Sequence, residues 1–102
     1  MTNLEMLKLL FMDLENKIIS NEEYTLFLQK NNLEPSETYM EEKLPYIELT
    51  KADILEAFLN NPEKLTDYTK GEITKKYKKE MLYTIIRNIR NKYTKLKVDT
   101  RW

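Results

Sequence analysis

Cysteine and histidine are both missing from the 102 residues. Without cysteine there is no disulfide and no thiolate metal site. Without histidine the commonest general base and the commonest zinc ligand go together. Glycine occurs once, as Gly71, and proline three times, as Pro35, Pro45 and Pro62. So few breakers predict a mainly helical chain with short connections. There is no glycine-rich phosphate loop. No apolar run approaches the roughly 18 residues of a membrane helix. The opening Met1-Thr2-Asn3-Leu4-Glu5 lacks the basic flank and small-residue cleavage site of a secretory signal, so a cytoplasmic protein is expected. The carboxylates fall mostly at caps and on solvated faces. An enzyme is therefore not expected, nor a bound cofactor or metal.

What the chain does have is length for one domain and one modest core. Hydrophobic residues make up 41% and charged residues 33%, a balance that folds and stays soluble. The net charge of zero conceals a division. Residues 1–68 carry 6 Lys/Arg against 14 Asp/Glu, and residues 69–102 carry 11 against 3. The two parts therefore stand at −8 and +8. Asymmetry of this kind marks either a polyanion-binding end or a solvated lysine-rich helix.

Thr2-Asn3-Leu4-Glu5 is a capping box, and Leu4, Leu7, Phe11, Leu14 and Ile18 follow at helical spacing. A helix over residues 3–18 is expected, facing the core or, as a short heptad seam, a second copy of the chain. Ser20-Asn21-Glu22-Glu23 is a second box, with Tyr24, Phe27 and Leu28 as the buried face. Asn31-Asn32 can stop that helix, because asparagine tolerates the left-handed conformation. Residues 36–42 suit a short helical turn. Residues 44–49 look extended, and Pro45 makes them an edge strand at best. Thr50 then caps a helix, with Asp53 as box partner and Ile54, Leu55, Phe58 and Leu59 inside. Asn60-Asn61-Pro62 ends it.

Thr69-Lys70-Gly71-Glu72 opens a further helix. The apolar set Ile73, Tyr77, Met81, Ile85, Ile89, Tyr93 steps by four, and each step overshoots a turn by about 40°. One straight helix cannot keep these on one face. Two helices broken near Tyr77-Lys78-Lys79 can, the second running over residues 80–92. Over Lys95-Leu96-Lys97-Val98 cationic and apolar residues alternate, as in a strand with one wet face. Trp102 fits a plug in the core.

The second half thus has the order strand, helix, helix, helix, strand. That is the order of a winged helix, whose third helix enters the major groove. The expected fold is mainly α with a small β wing: a winged helix-turn-helix with extra N-terminal helices, in a single domain over residues 1–102. Within residues 80–92, Leu82, Ile85, Ile86 and Ile89 fall within roughly 100° and face inward. Tyr83, Thr84, Arg87, Asn88, Arg90 and Asn91 lie opposite. Arginine can bond guanine bidentately and asparagine can bond adenine. Arg87, Asn88 and Asn91 are the expected base readers, and Thr84 suits a thymine methyl or a phosphate. The competing reading of this face is ordinary solvated surface. Lys70, Lys75, Lys76, Lys78 and Lys79 precede the helix, where cations oppose its dipole, so phosphate contact gives them a purpose. Lys95, Lys97 and Arg101 would lie on the wing.

On its length, its Asn60-Asn61-Pro62 turn, its basic residues 70–79, the helix carrying Arg87 and Arg90, and the Arg101-Trp102 end, the chain resembles the small relaxosome accessory proteins of clostridial conjugative plasmids. That resemblance implies a winged helix-turn-helix that binds the plasmid transfer origin on double-stranded DNA and assists a relaxase. It also implies a homodimer, a wing used on DNA, and contact by Asn61 in the turn. Residues 95–102 are too few for a complete two-stranded wing, so the partner strand would have to be residues 44–49. Two other functions compete: a transcriptional repressor, or a phage- or plasmid-encoded inhibitor of a host nuclease whose acidic residues 34–48 mimic DNA.

Overall fold

The computed structural model describes residues 1–16, 19–61 and 79–94, and these are mainly helical. Four helices stand among them: α1 (Asn3–Leu10), α2 (Asn21–Lys30), α3 (Leu44–Leu59) and α4 (Lys79–Lys92). A 3-10 turn at Glu41–Lys43 leads into α3. The one extended pairing among the described residues is an isolated bridge between Thr2 and Thr38.

Both expected capping boxes form. The Thr2 hydroxyl accepts the Glu5 amide, and the Thr2 amide donates to the Glu5 carboxylate. That backbone bond, and then the Thr2 side chain, holds the Glu5 carboxyl below its ordinary value. The support is full above the ordinary glutamate range and is lost as pH falls through the lowered folded value. Ser20 and Glu23 repeat the arrangement on α2. The next free amides of α1 find carbonyls in the loop that crosses its start. Asn3 donates to Glu37, and Leu4 donates to Pro35.

The helix expected over residues 3–18 stops at Leu10. Met12 turns left-handed (φ 54) and donates to the Leu9 carbonyl, while Asp13 donates to the Lys8 carbonyl. This pair of bonds is the Schellman stop, built on methionine where glycine is usual. Periodicity could not foresee it, because Leu14 and Ile18 continue the apolar spacing. α2 ends in the same way, with Asn32 left-handed (φ 60), Leu33 donating to Leu28, and both leucines in the core. Here the Asn31-Asn32 pair does what its chemistry predicts.

Left-handed backbone costs a non-glycine residue roughly 1–2 kcal/mol. Met12 is 66% exposed, so its side chain gives little back. Replacing it with glycine should therefore stabilise the fold by about 0.5–1 kcal/mol after the added entropy of the unfolded chain is counted. A urea midpoint that falls in Met12→Gly would show that its side chain is held by contacts stronger than that strain.

Residues 44–49 are not an edge strand but the opening turns of α3. Pro45 sits in the first turn, where a missing amide costs nothing and its fixed φ suits the helix. Thr50 consequently is no cap. It is buried in mid-helix, donating to the Tyr46 carbonyl and accepting from the Asn31 side chain. With that strand gone, the β wing loses its expected partner. The other half of the wing, residues 95–102, lies outside the described residues, as do the expected helix over residues 69–78 and its break.

α3 is the hub. It packs against α1, α2 and α4, and α4 packs against no other described element. Leu7, Phe11, Tyr24, Leu28, Ile47, Ile54, Leu55 and Phe58 form one cluster, to which α4 adds Leu82 and Ile86. Burial of each large apolar side chain contributes about 1.5–3 kcal/mol.

Candidate nucleic-acid interface

α4 is amphipathic as its sequence predicts. Leu82 and Ile86 are buried, and Ile85 and Ile89 pack half-buried against the same cluster. Tyr83, Thr84, Arg87, Asn88 and Asn91 are all exposed. Advancing about 100° per residue, these five fall within about 140° of one another and centre opposite the buried arc. From Tyr83 to Asn91 the stripe is about 12 Å long, close to the width of a B-DNA major groove. The Thr84 hydroxyl donates back to the Glu80 carbonyl, which leaves its oxygen able to accept. Beside it lies a shallow groove lined by Glu80, Met81, Thr84 and Ile85.

Arg90 departs from the expected set. Its guanidinium spans two carboxylates of α3, at 2.8 Å from Asp53 and 2.9 Å from Glu56. A second bond to Glu56, at 3.2 Å, makes that contact two-pronged. The hydrogen bond to Glu56 raises the Arg90 pKa most; burial opposes it, and Asp53 adds to it. A half-buried arginine held this way serves the α3–α4 seam, and its charge is already answered. The other oxygen of Asp53 accepts from Asn31, which also donates to Thr50 and to the Phe27 carbonyl. Polar bonds thus run without a gap from the end of α2, through α3, to the last turn of α4.

The far end of α4 is tied as well. The Tyr93 hydroxyl donates to the Glu48 carboxylate. Burial, and then this bond, pushes the Tyr93 phenol up. Its support is full below the ordinary tyrosine range and disappears as pH rises through the raised folded value. Lys92, which the sequence reading left out, is exposed with its ammonium 5.2 Å from the Tyr93 ring centre. Its spacing of four from Asn88 was the available signal.

The remaining expected contacts divide in two. Asn61 is exposed just beyond α3, its amide donating to the Phe58 carbonyl. Lys79 is the first residue of α4. Lys70, Lys75, Lys76, Lys78, Lys95, Lys97 and Arg101, with Trp102, lie outside the described residues. The acidic stretch does reach solvent: Glu34, Glu37, Glu41 and Glu42 are exposed. Among the described residues no helix is long and apolar enough to cross a membrane, and no group of carboxylates is placed to hold a metal ion. No family model, no curated protein and no solved structure matches the chain.

Proposed function

We propose that this protein binds double-stranded DNA with the outer stripe of α4 in the major groove. One observation carries the reading: Tyr83, Thr84, Arg87, Asn88 and Asn91 are exposed together on a helix whose opposite side is buried. Donors and acceptors of these types suit base edges. Arg87 would read guanine, Asn88 and Asn91 adenine. The Thr84 methyl and Met81 would meet a thymine methyl. The basic residues of segments 70–79 and 95–101 would hold phosphates, and each phosphate neutralised releases counterions. Arg90 is assigned to the helix seam and not to the DNA.

The finer fold we propose is a winged helix-turn-helix. The finer role is that of a relaxosome accessory protein acting at a plasmid transfer origin, as a homodimer beside a relaxase. A transcriptional repressor would use the same face.

The test is a fluorescence-anisotropy titration of labelled duplexes at two salt concentrations. Wild-type affinity should fall steeply with salt. Arg87→Ala should lose about 1–3 kcal/mol on a preferred duplex, the usual value of one bidentate base contact, and should relax discrimination at one base pair. Binding indifferent to ionic strength would sink the proposal. The exposed glutamates at 34, 37, 41 and 42 favour the second reading, a DNA-mimicking inhibitor of a nuclease. Tight nuclease binding without duplex binding would select it.

A further inference from the structure

Apolar burial holds α4 against α3 but does not aim it. The hydrophobic effect has no direction, and a helix that rests on one neighbour among the described elements can roll about its own axis at small cost. A side chain stands about 5–6 Å from the helix axis, so a roll of about 20° carries it about 2 Å. Recognition sites need their groups held to within about 0.5 Å. Something at the edge of the seam has to stop the roll.

Arg90 is at that edge. On the helical projection it lies about 90° from the middle of the buried arc, on the side toward Tyr83 and Arg87. A bond there resists rotation with a longer lever than one at the centre of the seam. Arg90 also sits within one turn of Arg87, Asn88 and Asn91. Its two carboxylates differ in how they are held. Glu56 is 54% exposed and reaches up from the surface of α3. Asp53 is 24% exposed and is itself gripped by Asn31, whose other bonds go to the buried Thr50 and the end of α2. The Asp53 contact ties α4 to α3 and, through Asn31, to α2 as well.

We infer that Asp53 is the positioning residue of the α4 face: through Arg90 it fixes the roll of the helix and so sets which bases Arg87, Asn88 and Asn91 reach. The inference rests on the DNA-binding reading above.

The experiment compares wild type, Asp53→Asn, Glu56→Gln and Arg87→Ala. Two duplexes serve as probes, one selected by the wild-type chain from a random pool and one a scramble of the same composition. Asp53→Asn should weaken the selected duplex about tenfold while leaving the scramble within about twofold. Glu56→Gln, which removes the same charge from a looser partner, should move neither by more than about threefold. In the Asp53→Asn background, Arg87→Ala should cost distinctly less than it does alone, because Arg87 is already misplaced. Thermal melts of each variant place all titrations well inside the folded range. Equal weakening of both duplexes, no weakening of either, or the same loss from Glu56→Gln would overturn the positioning role alone. A wild-type chain that selects no duplex would overturn the DNA reading, and this inference with it.

Discussion

Asp13→Ala should cost about 3 kcal/mol of folding stability, although the residue lies in a loop and touches no proposed functional group. Its side chain is only 4% exposed. One carboxylate oxygen accepts both the Ile19 amide, at 3.0 Å, and the Tyr24 hydroxyl, at 2.8 Å. Ile19 and Tyr24 are themselves buried. Alanine would leave two donors without an acceptor in the core, and each buried unsatisfied group costs about 1–3 kcal/mol. Relief from burying a charge returns part of this, which places the net in the lower half of that sum, at about 3 kcal/mol. Tyr24→Phe removes one donor and leaves the carboxylate its bond to Ile19, so it should cost about 1 kcal/mol. The measurement is chemical denaturation at constant m-value, read as a change in midpoint. A loss under about 1 kcal/mol in Asp13→Ala would mean that water replaces the carboxylate freely and that the loop is open.

That loop also shows where the sequence stops being legible. The residues that carry the fold by local chemistry could be read directly. Thr2 with Glu5 and Ser20 with Glu23 are reciprocal caps, and both form. Asn32 takes the left-handed turn expected of it. α4 spans Lys79–Lys92 and turns Leu82 and Ile86 inward. In each case the signal that announces the feature lies within five residues along the chain. The misreadings occur where the deciding partner is distant. Leu14 looks like the next step of an apolar stripe, yet the carboxylate of Asp13 is claimed by Tyr24, eleven residues on, and the helix closes before it. Thr50 and Asp53 have the spacing of a capping box, but Asn31 and Arg90 engage them instead. Pro45 excludes a central strand and a helix interior alike. It permits an edge strand or a first helical turn, and nothing local separates the two.

The same distinction applies to the proposed face. Exposure of Arg87, Asn88 and Asn91 follows from helical periodicity and was legible. The engagement of Arg90 was not, because Asp53 and Glu56 lie 37 and 34 residues away along the chain. Arg87 and Arg90 are alike as letters and three residues apart. One projects to solvent, and the other is spent on holding the helix to α3. A charge count treats them equally. On α4, geometry leaves one guanidinium for the proposed recognition where the sequence offered two.

Leu82→Ala should be the most damaging substitution in α4, at about 3 kcal/mol, within the 2–5 kcal/mol usual for leucine in a closed core. Leu82 is 0% exposed, and α4 rests on α3 alone among the described elements, so no second described element can close the cavity. The loss should therefore be local before it is global. Amide exchange in α4 should quicken more than exchange in α2, because undocking α4 leaves the contacts between α1, α2 and α3 in place. Under the proposed function, affinity for a preferred duplex should fall in proportion to the undocked fraction, since only the docked helix presents its stripe. The neighbouring residue supplies the control. Met81 is 45% exposed on the flank of the helix, and Met81→Ala should cost less than about 1 kcal/mol. A difference of about 2 kcal/mol between adjacent positions is the signature of a helix with one seated face. Equal costs at 81 and 82 would mean that α4 is turned otherwise, and the outward stripe of Tyr83, Arg87 and Asn91 would turn with it.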